Sequence, residues 1–212
     1  MNSPYNRIAG QNLDRLAALS DGIFAVAMTL LVINLHVPVS TVRAPIHNDL
    51  DLLKAIGALA PSLLPYLMSF LTLGIFWVGQ QTQLNHFARS DRNLTWIHLG
   101  FLLGVTLLPF STALLAAFIT YRVALAVYWF NLLLLGVMLF ASMRYAWGAK
   151  LVGDAVTPEV RSANERRIIV YQALYAFSAL LCIINTYVSI ACLILLQLNA
   201  ALAPRIRPFD RL

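Results

Sequence analysis

Apolar runs of bilayer length recur along this chain with only short polar links between them, and that pattern predicts a bundle of membrane-spanning helices. Inside hydrocarbon every backbone N–H and C=O must find its partner within the protein, which a helix achieves by itself. One span needs about 20 apolar residues, so the 212 residues hold about six or seven spans and leave no room for a soluble domain. Composition agrees. The chain is 60% hydrophobic and 11% charged, where soluble proteins average about 25% charged, and its mean hydropathy is +0.75. The expected fold is an all-α integral membrane protein, one domain over residues 1–212, with spans at about 13–37, 52–80, 92–119, 123–147, 166–184 and 187–203.

The links set these bounds. Asn12 followed by Asp14 makes a helix start, a capping oxygen and then an acid in the first turn. The polar residues before it, with a first apolar run too long for a leader, predict a span that is retained. Residues 38 to 51 carry Pro38, Pro45 and HNDLD and read as a loop. Pro61 and Pro65 are expected to bend the second span, and the backbone carbonyl freed by Pro109 in the third calls for a partner such as Ser111, Thr112 or a neighbouring helix. Residues 148 to 164 read as a solvated loop. The last apolar block, 168 to 203, is too long for one ordinary span and reads as a tight hairpin turning near Asn185 and Thr186, the alternative being one long tilted helix that would carry three C-terminal arginines to the other side. With six spans, twelve of the 15 Lys and Arg fall on one side and only Arg43, Lys54 and Arg122 on the other. The positive-inside rule then places both termini in the cytoplasm, with the chain in the cell (inner) membrane.

The first span, RLAALSDGIFAVAMTLLVINL from Arg15, carries Ser20 and Asp21 within an apolar run. A carboxylate at bilayer depth costs at least ~3 kcal/mol and therefore faces protein or water. One reading makes Ser20 and Asp21 a structural lock against spans two and three, with Arg15, Gln80, Asn93 or His98 as partners. The other makes them a cation-attracting or gating site near the inner mouth of a pore. Beyond Asp21, Val26, Leu30 and Ile33 recur at i, i+4 and i+7 with Thr29 beside them, on one helix face. Such a stripe is what a packed core face looks like, and equally what stacked rings around an axis would need. Gly22, Ala25 and Ala27 permit close helix contacts.

The motif Arg15-x-x-x-Leu19-Ser20-Asp21 resembles the R-x-x-x-F-S-D signature that opens the transmembrane protein 175 family of potassium channels, with Leu19 where the family has Phe. SFLTLGIFW (Ser69 to Trp77) and LLPFSTALL (Leu107 to Leu115) resemble the family's second and third spans, so the likeness covers roughly residues 15 to 115. The resemblance implies a homotetramer in which the first span lines a fourfold pore. Val26 would then stand at the family's narrow point and Thr29 at its threonine, with Leu30 and Ile33 as the next layers. Where the family has W-x-x-H, this chain has Trp77-Val78-Gly79-Gln80, an amide in place of a titratable ring. Implied with the fold is passive, potassium-preferring conduction, with K⁺ as the permeant ion and no cofactor.

Other classes find little support. Cys182 and Cys192 have no C-x-x-C spacing, the four histidines have no metal-ligand spacing, and no phosphate-binding loop, nucleophile elbow or zinc motif is present, so no enzyme is expected. The basic residues lie between spans rather than in a patch with aromatics, which argues against nucleic acid. T-V-G-Y-G, the carbonyl filter of ordinary potassium channels, is also absent. Two further readings stay open: a proton-coupled secondary transporter, with Asp21 exchanging a proton, and a non-conducting membrane scaffold.

Overall fold

The computed structural model describes residues 12–33, 35, 37–39, 46–154 and 156–202. The two tails, with Arg7, Arg205, Arg207 and Arg211, lie outside the described residues, as do His36 and Arg43. Seven α-helices are described: α1 (Leu13–Ile33), α2 (Asp49–Gly57), α3 (Ala60–His86), α4 (Arg92–Ala117), α5 (Arg122–Gly148), α6 (Pro158–Leu180) and α7 (Thr186–Leu202). α1, α3, α4, α5 and α6 are long and apolar enough to cross a membrane, α6 together with the 3₁₀ turn Leu181–Ile183 that follows it. α7, 17 residues long, reaches about 25 Å.

Local chemistry explains the ends. The Asn12 side chain accepts from the Arg15 N–H at 2.9 Å and Asp91 accepts from Leu94 N–H at 2.8 Å, each satisfying a donor that the first helical turn leaves open. The second apolar stretch is not one bent span. Gly57 disfavours helix, and Pro61 has no N–H to return to its carbonyl, so the chain breaks at Ala58 and Leu59. Pro61 then sits in the first turn of α3, where a missing N–H costs nothing. The short helix α2 before the break buries none of its residues.

The stretch 148 to 164 is a loop only to Thr157. The Thr157 hydroxyl accepts from Val160 N–H, Pro158 takes the first helical position and Glu159 meets the positive helix end, so α6 begins there. Its first turns stay polar, with Glu165 paired to Arg161 (2.7 Å) and Arg144 (3.5 Å). The final block is the expected hairpin rather than one long tilted helix. α6 tightens into the 3₁₀ turn, and the Asn185 side chain accepts from Tyr187 N–H at 2.8 Å to start α7.

α4 is central, packing on α5, α1 and α3, while α7 lies between α3 and α6 and α6 closes on α5. With no hydrophobic drive between helices in lipid, close packing and interhelical hydrogen bonds must hold them. Two polar clusters do this. Tyr128 of α5 meets Thr72 of α3 at 2.9 Å, Thr72 accepts from Gln197 of α7 at 2.7 Å, and Thr112 of α4 donates to Ser69 of α3 at 2.6 Å. These residues are buried, so four helices are stitched together away from water. The second cluster answers the proline in α4. The Asn131 amide of α5, with its oxygen toward the donors, accepts from Leu108 N–H (3.0 Å) and Ser111 Oγ (3.1 Å) and donates to the Gly104 carbonyl (2.9 Å). The neighbouring helix thus repairs the turn next to Pro109.

Candidate functional site: the first helix

α1 has two faces of opposite fate. Leu16, Ser20, Phe24, Ala27 and Leu31 are buried against the rest of the chain. The other face is left open: Val26 is 57% exposed, Leu30 41% and Ile33 69%, against 2% for Ala27 and 1% for Leu31. Thr29 is exposed beside them. Within the chain this stripe is therefore not a packed core face. Over the seven residues from Val26 to Ile33 it rises about 10 Å along the helix. The Thr29 hydroxyl donates to the Val26 carbonyl at 2.8 Å. Its hydrogen is committed, so the side chain presents oxygen lone pairs and a methyl outward.

Behind the stripe, rings hold α1 in rotation. Phe24 lies 6.0 Å from Phe101 of α4, centroid to centroid, and Phe101 is 6.4 Å from Phe76 of α3 and 5.9 Å from His98. Such tilted ring pairs add roughly 0.5–1.5 kcal/mol each beyond burial.

Ser20 and Asp21 part company. Ser20 is fully buried and its hydroxyl returns to the Leu16 carbonyl at 2.8 Å. Asp21, about 100° further round the helix, reaches α3, where its Oδ1 accepts from Trp77 Nε1 and from Gln81 Nε2, both at 2.8 Å. None of Arg15, Gln80, Asn93 and His98 is its partner. Gln80 Nε2 and His98 Nε2 lie 2.7 Å apart, forming a buried α3–α4 bond. Asn93 donates to the Tyr145 hydroxyl at 3.1 Å, which in turn donates to Asp91 at 2.7 Å. Arg15 is exposed and forms no ion pair with Asp21. Gln81 escaped the sequence reading, although its spacing of four from Trp77 puts both donors on one face of α3. Among the described residues no group of three or more His, Cys, Asp or Glu could hold a metal.

The profile of a family described as endosomal/lysosomal potassium channel TMEM175 matches residues 15–109. A potassium channel of Streptomyces collinus is 34% identical over 156 residues, 72% of this chain and 71% of that one. The chain belongs to the transmembrane protein 175 family. A second relative in the family, a potassium channel of Chamaesiphon minutus, is 37% identical over 117 residues, 54% of this chain and 56% of that one. The crystal structure of a lysosomal potassium-selective channel TMEM175 homolog from Chamaesiphon minutus aligns with a TM-score of 0.77 at 27% identity, over 90% of this chain and 97% of that chain. The transmembrane protein 175 fold thus continues past the matched residues 15–109. The family is one of ion channels, not enzymes, and brings no cofactor.

Proposed function

We infer that this chain is a subunit of a potassium-selective cation channel, a homotetramer in which four copies of α1 surround the conducting axis. The observation that carries the reading is the division of α1, whose inner face is buried against the rest of the chain while the face of Val26, Thr29, Leu30 and Ile33 is left exposed. In a fourfold arrangement these residues form stacked rings. The apolar rings of Val26, Leu30 and Ile33 act as a hydrophobic gate that conducts only when wide enough to stay wet. The Thr29 oxygens lie between them as the polar groups able to replace part of an ion's hydration. Asp21, held by Trp77 and Gln81, fixes the angle at which each α1 meets α3 and so the radius of the rings. α7 serves as the sixth span, and the excess of Lys and Arg on one side favours a cell (inner) membrane location with both ends in the cytoplasm.

Liposomes loaded with potassium, read with a proton-sensitive dye and a proton ionophore, test this reading. Flux should persist for potassium without an imposed proton gradient, weaken for sodium and fall in Val26→Trp. Flux that requires a proton gradient would identify a coupled carrier, with Asp21 as its proton site. No flux from an assembled protein would leave a structural scaffold.

A further inference from the structure

The buried residues of α1 belong to two separate hydrophobic clusters. Phe24, Ala27 and Leu31 join the large one, while Leu16 joins a small one with Leu84, Phe87, Leu94, Met143 and Leu151. Along α1 the polar pair Ser20 and Asp21 lies between Leu16 and Phe24. The small cluster also differs in origin. Phe87 and Leu151 are buried, yet neither lies on a helix; they belong to the connections from α3 to α4 and from α5 to α6. The seat of Leu16 is therefore built partly from two loops.

Those loops are clasped together. Phe87 and Val152 face each other in an isolated antiparallel bridge, where the Ala88 N–H donates to the Leu151 carbonyl at 2.8 Å and the Gly153 N–H to the His86 carbonyl at 2.9 Å. Arg89 Nη2 donates to the Lys150 carbonyl at 3.4 Å. The end of α5 sets the path of the second loop. Lys150 has a φ of 56°, the left-handed conformation through which helices commonly end, and it returns its N–H to the Trp147 carbonyl (3.1 Å) while Leu151 returns its own to the Ala146 carbonyl (2.9 Å). This turn puts Leu151 and Ala146 in the same cluster, the apolar contact that accompanies such an ending. Glycine takes this conformation freely, so a lysine here carries strain.

Backbone pairs in short polar connections open more readily than helices packed in a core. One end of α1 thus depends on the part of the fold most open to events in water. Leu16 stands ten residues before Val26, about 15 Å along a rigid helix, so a shift at its seat reaches the exposed face. We propose that the clasp regulates that face: Leu16 and Leu151 are positioning residues for α1, and a change in the two connections moves the closed-to-open equilibrium of the Val26, Leu30 and Ile33 rings without touching them. This rests on the reading of α1 as the helix that lines the pore.

Two measurements on the purified assembly keep the two readings apart. Equilibrium unfolding in mixed micelles of Leu16→Ala, Leu151→Ala and the double variant needs no conduction, and the two losses should be clearly non-additive, as for residues that share one cluster. Single-channel recording after reconstitution reads the regulation. Leu151→Ala should shift the closed-to-open equilibrium by roughly 2- to 30-fold, with unitary conductance and the preference for potassium over sodium as in the wild type. Leu151→Met, which conserves volume, should restore the equilibrium. Lys150→Gly removes the strain, should raise the folding constant about fivefold, and should shift the equilibrium the opposite way from Leu151→Ala. Ile190→Ala, in the large cluster on α7, reports general loosening. An equilibrium unchanged in both Leu151→Ala and Lys150→Gly, or an equal shift in Ile190→Ala, would overturn the proposal. Additive unfolding losses in a protein that conducts sink the clasp alone; no current from the wild type, with the coupling intact, sinks the channel reading and the proposal with it.

Discussion

Removing Asp21 should loosen α1 from α3 by an amount that the geometry bounds. Its Oδ1 accepts two bonds of 2.8 Å, from Trp77 and Gln81. A hydrogen bond to a charged group is worth roughly 1.5–3 kcal/mol. Because this site is exposed within the single chain, the lower end applies, ~1.5 kcal/mol per bond, or ~3 kcal/mol lost in Asp21→Ala. Asp21→Asn keeps an acceptor oxygen but loses the charge assistance, which is about half the bond, so it should cost about half as much. The discriminating experiment is a double-mutant cycle with Trp77→Phe, read by equilibrium unfolding of the purified protein in mixed detergent micelles. Trp77→Phe removes the indole N–H and some packing. The packing loss is common to both backgrounds and cancels in the cycle, leaving a coupling of ~1.5 kcal/mol, about tenfold in the equilibrium constant. If Trp77→Phe costs the same in the Asp21→Ala background, the bond does not hold α1, and the account of how its angle is set fails.

Two further outcomes are expected. In a Cys182→Ala, Cys192→Ala background, Val26→Cys and Thr29→Cys should react with a water-soluble thiol reagent and lose flux, while Ala27→Cys and Leu31→Cys, on the buried face, should react roughly tenfold or more slowly because a thiolate needs water; equal reactivity would remove the distinction between the faces. Gly136→Ala should cost ~1–3 kcal/mol of stability, since the added methyl displaces the Gln172 amide from the Leu132 carbonyl. Adding Gln172→Ala should recover the steric part, and a neutral Gly136→Ala would show that Gln172 is not held there.

Much of the architecture was legible because it follows from local physics. The hairpin at Asn185 came from length and charge together, since an apolar block from 168 to 203 exceeds one ordinary span and a single long tilted helix would carry the C-terminal arginines to the side with few basic residues. The cap at Asn12 was readable from a side-chain oxygen and an acid at the right spacing. Two signals of the same kind were present but outweighed. Thr157-Pro158-Glu159 is a helix start, yet the polar residues around it look like a loop until Glu165 is seen to pair with Arg161 and Arg144. Gly57 and Pro61 together end a helix and start another, where the apolar run across them suggested one bent span.

The site divides along the same line. Sequence by itself determined that Asp21 sits in an apolar helix and that Val26, Leu30 and Ile33 share one face of it with Thr29 beside them, because 3.6 residues per turn is a property of the backbone. It could not decide which face of α1 is buried, since both are apolar and hydrophobicity has no direction in such a helix. Nor could it choose the partner of Asp21 among several amides and rings. Tertiary structure decided both. The Phe24–Phe101 contact turns one face of α1 inward, and the crossing of α1 with α3 brings Trp77 and Gln81, not Gln80, to the carboxylate. These are matters of side-chain shape at a helix crossing, which periodicity along one helix does not encode.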